Sequence, residues 1–90
     1  MLQVNDSNFD QLLAEGKPMV VDFWATWCGP CQMLSPVVQD VAKESDNLKV
    51  AKINIDQEED LAVRYEIASI PTLVVIRNGN EIKRSTKALV

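Results

Sequence analysis

The spacing of apolar residues changes several times along the chain, and each change predicts a new element. Phe9, Leu12 and Leu13 recur at helical spacing, and Gly16-Lys17-Pro18 ends that helix. Around its start, Ser7-Asn8-Phe9-Asp10 reads as a capping box with Asp in place of the usual Glu. Residues 19–25 are nearly all apolar, the pattern of a strand buried on both faces. From about Cys31 the helical period returns, with Leu34, Val37, Val38, Val41 and Ala42 marking one face. Pro36 falls inside this helix and should bend it, because it lacks a backbone donor and crowds the preceding turn. Residues 48–55 read as a strand, with Ala51, Ile53 and Ile55 on one face and Val50, Lys52 and Asn54 on the other. Residues 57–67 read as a short third helix, with Leu61 and Tyr65 one turn apart. Residues 71–77 form a strand rich in β-branched side chains. Asn78-Gly79 is a two-residue hairpin turn leading into a more polar strand at residues 81–86. Lys83 and Arg84 on that last strand suit a sheet edge.

This order of elements predicts an α/β fold, a three-layer sandwich with a mixed central sheet flanked by helices. The hairpin makes the final strand pair antiparallel, and the earlier crossovers should be parallel and right-handed. Residues 2–4 can add a short strand. No internal repeat, linker or low-complexity segment interrupts the pattern.

Composition narrows the function classes. Ninety residues make one domain, 1–90, small enough that its core must be used efficiently. The hydrophobic content of 47% is ordinary for a globular chain and too high for disorder. A net charge of −4 argues against nucleic acid or an anionic membrane as the partner. No apolar run approaches the roughly 18 residues of a membrane span. The first six residues hold no basic region followed by an apolar one, so no secretory signal is visible. A mature chain re-started at methionine would look the same. Two cysteines three positions apart are not the disulfide framework of secreted domains, so a cytoplasmic redox pair fits better.

The candidate chemistry lies in residues 20–36, which hold both cysteines, Cys28 and Cys31, and both tryptophans, Trp24 and Trp27. Trp27-Cys28-Gly29-Pro30-Cys31 sits where a strand hands over to a helix. A first cysteine there faces unpaired backbone N–H groups and the positive end of the helix dipole. Both favour thiolate over thiol, and the thiolate is the reactive species. Cys31, one helical turn on, can close a small disulfide with Cys28. A metal site and an inert surface disulfide are the competing readings of the pair. The chain has no histidine and no third cysteine, so a closed zinc site would need carboxylates or a second chain. Gly29 and Pro30 can be ordinary turn residues, or can bring the backbone close and fix φ at the first helical turn. Asp22 lies in the middle of the apolar run. Either its register turns it to solvent or it is a buried carboxyl with a raised pKa. Lys52, taken alone, reads as a solvated strand lysine.

CxxC beside a βαβ pattern reads as a thioredoxin-like redox motif, and the rest of the chain extends the likeness. WCGPC is the signature pentapeptide of the thioredoxin family, and residues 20–31 resemble that family's active-site segment. Phe9 in the first helix, Asp22 in the central strand and Pro36 in the active-site helix match as well. So do Lys52 in the next strand, the loop Ile70-Pro71-Thr72 opposite the cysteines, and the Asn78-Gly79 hairpin. The resemblance covers nearly the whole chain.

The resemblance implies a protein-disulfide reductase that cycles between a Cys28/Cys31 dithiol and disulfide, with no tightly bound cofactor. It implies that Cys28, exposed and of low pKa, attacks a disulfide in a bound protein. Cys31 then resolves the mixed disulfide with Asp22 as proton carrier and Lys52 near that aspartate. Trp27, Gly29, Pro30, Ile70 and Pro71 become the substrate-binding surface. The Ile70–Pro71 peptide, bland from sequence, is expected to be cis, leaving the Ile70 backbone to pair with an extended substrate. Implied partners are disulfide-containing proteins and thioredoxin reductase. Three departures stand out: Gln32 where a lysine often follows the second cysteine, Lys87 where the family usually has glycine, and an end at Val90 before the family's C-terminal helix. With that helix absent, weakened robustness and self-association through the uncovered face are expected. A non-catalytic binding module and an oxidase or isomerase of an oxidising compartment are the rival classes. Gly29-Pro30 and the absent signal favour the reductant.

Overall fold

The apolar run becomes the middle strand of the sheet, since only a position covered on both faces suits it. The structure, a computed structural model, describes residues 2–5, 7–44 and 47–86. Within these the elements are β1 (Leu2–Gln3), α1 (Phe9–Leu13), β2 (Met19–Trp24), α2 (Gly29–Glu44), β3 (Lys49–Asn54), α3 (Glu59–Arg64), β4 (Thr72–Arg77) and β5 (Asn80–Ser85). The five-stranded sheet has the order β1-β3-β2-β4-β5. β3 runs parallel to β1 and β2, while β4 is antiparallel to β2 and β5. The predicted α/β sandwich with a mixed sheet is what forms. The expectations placed on Lys87 and residues 87–90 lie outside the described residues.

Alternation along β2 gives the sheet two different faces. Met19, Val21 and Phe23 join Ala51, Ile53, Val74 and Ile76 in one core, covered by Phe9 of α1 and Leu61 of α3. On the other face Leu34 and Val38 of α2 pack on Val50, with Leu73 alongside. Val20, Asp22 and Trp24 belong to this second face, beneath α2. The site is built there.

Helix boundaries differ from the sequence pattern, while the strand ends shift by no more than one residue. The capping box sits at Asn5 and Asn8, two residues before Ser7. Asn5 Oδ1 accepts the Asn8 N–H at 3.0 Å, and Asn8 Oδ1 accepts the Asn5 N–H at 2.9 Å. The Ser7 hydroxyl donates to Asn5 Oδ1 at 2.7 Å, so it supports the box without forming it. Next, α2 begins at Gly29, two residues before Cys31, and runs on through Pro36. Finally, α3 stops at Arg64, short of residue 67, because Glu66 turns left-handed at φ 52. There Ile67 N–H donates to the Ala62 carbonyl at 3.0 Å and Glu66 N–H to the Val63 carbonyl at 3.0 Å. That is the bonding of a Schellman stop, with glutamate in the position glycine usually takes.

The hairpin forms as predicted, with Asn78 and Gly79 at φ 53 and 79. A bulge follows. Val75 pairs with Lys83 but Ile76 pairs with Glu81, which leaves Ile82 as the extra residue. Burial separates two isoleucines: Ile53 is fully buried and Ile82 is 58% exposed. Ile53→Ala should cost about 2–5 kcal/mol, whereas Ile82→Ala should stay within about 0.5 kcal/mol. Denaturant midpoints at unchanged m-value check both.

Candidate active site

The first turn of α2 is closed by a sulfur atom. Gln32 N–H donates to the Cys28 carbonyl at 3.3 Å, which makes Cys28 the residue that caps the helix. Cys31 N–H donates to Cys28 Sγ at 3.2 Å, where serine or aspartate oxygen usually accepts. Pro30 has no N–H to satisfy in this turn, and a Cβ at Gly29 would meet no atom within 4 Å. Nothing inside the domain therefore requires glycine at that position.

Cys28 and Cys31 are joined as a disulfide, with Cα atoms 5.3 Å apart. The expectation that Cys28 is exposed is corrected here: Cys28 is 5% and Cys31 2% accessible. Trp24, Ile55 and Ile70 pack around the pair and cover both sulfurs in this oxidised state. The asymmetry between the cysteines is one of position on the helix, not of exposure.

Trp27, by contrast, is 68% exposed, and its indole Nε1–H donates to Asp56 Oδ2 at 2.8 Å. Held by that bond, the ring forms one wall of a pocket of about 290 Å³ lined by Ile55, Ile67, Ala68, Ser69 and Ile70. The Ile70–Pro71 peptide is cis. Thr72 Oγ1 donates to the Ser69 carbonyl at 2.6 Å and ties this loop to the start of β4.

Asp22 is completely buried on the face under α2, and neither carboxyl oxygen has a hydrogen-bond partner among the described residues. Burial raises its pKa from 3.8 to about 6, against a smaller lowering by the Lys52 ammonium. Asp22 and Lys52 are register partners on adjacent strands. They form no ion pair: the ammonium donates to Ser35 Oγ at 2.9 Å and lies 4.4 Å from the centre of the Trp24 ring. Lys52 is thus half-buried rather than the solvated lysine of the simplest reading.

The sequence did not single out Ser35 or Asp56. Ser35 was within reach, since it lies one turn after Cys31 on the face that bears Leu34 and Val38. Asp56 is 29 residues from Trp27, and nothing local marks it as that ring's acceptor. Among the described residues no group of three or more His, Cys, Asp or Glu is placed to hold a metal ion. No helix among them is long and apolar enough to cross a membrane.

A helix-capping CxxC pair beside a cis-proline loop, above a buried carboxyl on a mixed sheet, defines a dithiol–disulfide oxidoreductase. Comparison with known proteins makes the class particular. A sequence model described as thioredoxin matches residues 1–89. The thioredoxin of Mycobacterium tuberculosis strain H37Rv is 42% identical over 85 residues, covering 92% of this chain and 73% of its own length. Thioredoxin 1 of Synechococcus elongatus is 46% identical over 81 residues, 88% of this chain and 76% of its own length. A bifunctional thioredoxin reductase/thioredoxin of Mycobacterium leprae is 42% identical over 85 residues, 92% of this chain but 19% of that longer protein. Among solved structures, Fasciola hepatica thioredoxin superposes with a TM-score of 0.94 at 37% identity, over 99% of this chain and 88% of that one. The chain belongs to the thioredoxin family, and it is a thiol–disulfide oxidoreductase acting as a protein-disulfide reductase.

The buried carboxyl has a measurable signature. Because its folded pKa lies above the ordinary value, the folded state retains a proton that the unfolded state has released. The stability this contributes is complete below about pH 3.9 and is lost as pH rises through about 6. Asp22→Asn should therefore gain stability relative to wild type between pH 4 and pH 7.5, by on the order of 2 kcal/mol. Burial of the new amide is common to both pH values and cancels from the difference. Urea denaturation of both proteins at the two pH values measures it; an equal offset at each would show a solvated carboxyl.

Proposed function

We propose that Cys28 is the attacking sulfur and Cys31 the resolving one. Cys28 thiolate attacks a disulfide in a bound protein, forming a mixed disulfide and releasing one substrate cysteine as thiolate. Cys31 then gives its proton to Asp22 and attacks Cys28 Sγ, and the second substrate cysteine leaves as thiolate. The observation that carries this reading is the Cys31 N–H aimed at Cys28 Sγ, 3.2 Å away at the start of a 16-residue helix. The donor and the helix dipole that favour this arrangement favour negative charge on the Cys28 sulfur. Asp22 suits the proton step because burial holds its pKa near 6, where it can both accept and release a proton.

The pocket beside Trp27 and Ile70 is read as the seat for the substrate segment flanking its disulfide, with Gly29 and Pro30 leaving the approach open. Lys52 sets the field around Asp22. The reductant that restores the dithiol is a thioredoxin reductase, and the Mycobacterium leprae relative, named for both activities, supports that pairing. The cytoplasm is the compartment that suits a lone reducible pair. Met33, Val37 and Val41 are exposed at four-residue spacing along α2, and they support self-association through that face. Sedimentation over a concentration series would show a mass that rises with concentration, and a constant monomer mass would remove this part of the reading.

Iodoacetamide on the reduced protein at neutral pH should alkylate Cys28 before Cys31. In insulin reduction, Cys31→Ser should accumulate a mixed disulfide with substrate and Cys28→Ser none. Faster alkylation of Cys31, or trapping by Cys28→Ser, would reverse the assigned roles.

A further inference from the structure

Ser35 is an odd residue for its place. It sits half-buried in the interior of α2, where alanine is the better helix former, and it immediately precedes Pro36. A mid-helix serine hydroxyl commonly turns back onto its own helix. The Ser35 hydroxyl accepts from the Lys52 ammonium, 17 residues away on β3, at 2.9 Å. The same ammonium rests 4.4 Å from the centre of the Trp24 ring. Its register partner Asp22 meanwhile has no hydrogen-bond donor among the described residues. A buried carboxyl beside a lysine would ordinarily draw the ammonium into contact. Here the lysine is seated elsewhere.

We propose that Ser35 is a positioning residue whose hydroxyl, with the Trp24 ring, holds the Lys52 ammonium off the Asp22 carboxyl and so keeps that carboxyl able to carry a proton. This rests on the reading of Asp22 as the proton acceptor for Cys31. The lysine then acts on Asp22 through its field alone, tempering the effect of burial without cancelling it. Contact would favour the ionised carboxylate and make it a poor base.

Among the described residues, the other groups on this face leave Lys52 as the cation that matters. From α2 the titratable groups toward the sheet are the two cysteines, which do not titrate while disulfide-bonded; Asp40, Lys43 and Glu44 are solvent-exposed. From β4 the register partner of Asp22 is the apolar Leu73. From β5 the face carries Lys83, exposed and paired with Val75. β2 itself contributes Val20 and Trp24.

The test is a carbon-13 titration of the Asp22 carboxyl in the oxidised protein, where neither cysteine interferes. Ser35→Ala improves helix propensity, so the fold should survive. In it the midpoint should fall by about one pH unit, a tenfold loss of proton affinity. Ser35→Thr, which keeps the hydroxyl, should restore the wild-type midpoint. Lys52→Met should raise the midpoint, and adding Ser35→Ala to it should change nothing further. A Ser35→Ala midpoint equal to wild type, or a further shift in the double variant, would overturn the inference. The pH profile of insulin reduction by Asp22→Asn judges the underlying reading separately. An unchanged profile would sink Asp22 as proton carrier, while the titration alone still decides what Ser35 does to Lys52.

Discussion

The site depends on one bond, the donation of the Cys31 N–H to Cys28 Sγ at the first turn of α2. Helix starts carry backbone donors that have no partner within the helix, and an oxygen side chain normally satisfies one of them. Using sulfur there serves structure and chemistry with the same atom. As a disulfide, the sulfur closes the turn. As a thiolate it is a stronger acceptor, stabilised by the same N–H and the same dipole. The redox state of the pair and the integrity of the helix start are therefore coupled. The chain has no histidine that could serve as a separate base for either sulfur.

The two faces of β2 divide the work of the domain. Met19, Val21 and Phe23 are spent on an apolar core with α1 and α3. Asp22 and Trp24 point the other way, under α2, into the layer that also holds Cys31, Ser35 and Lys52. A carboxyl sealed into that layer with no donor among the described residues opposes folding at neutral pH. A domain of this size has a net stability of about 5–15 kcal/mol, so one such group is tolerable. The opposite face supplies the burial that makes it so. The apolar core and the buried carboxyl lie on different sides of one strand, separated by a single residue step.

Much of this could be read from the chain because it is written in local spacing. The apolar run of β2, the helical face of α2, the Asn78-Gly79 turn and the CxxC pair each carry their meaning within a few residues. What escaped depends on contacts between distant segments. Ser7 looked like the cap because serine favours that role, but Asn5 and Asn8 close a reciprocal pair around it. Exposure of Cys28 was expected from its role, yet Trp24, Ile55 and Ile70 arrive from three separate segments to cover it. The partners of Trp27 and Lys52 lie 29 and 17 residues away, too far for any periodicity to register. Pro71 shows the limit from the other side, since only likeness to a family singled out its cis bond in advance.

The loop opposite the cysteines owes its anchorage to a feature remote from them. Residues 67–70 line the pocket, and they follow directly on the left-handed stop at Glu66. That stop is fastened from outside: Arg84 of β5 donates to the Tyr65 carbonyl at 2.6 Å while pairing with Glu81 at 2.7 Å. In a regular strand residues three apart point to opposite faces, so Glu81 and Arg84 could not meet. The bulge at Ile82 adds the one residue that brings both onto the face of Val74 and Ile76, the side where α3 packs. Glu81 can then steady the guanidinium that reaches the end of α3. The irregularity in the edge strand is thus the reason an arginine reaches the carbonyls from which the pocket loop departs. A hairpin that reads as peripheral in the sequence fixes one wall of the site.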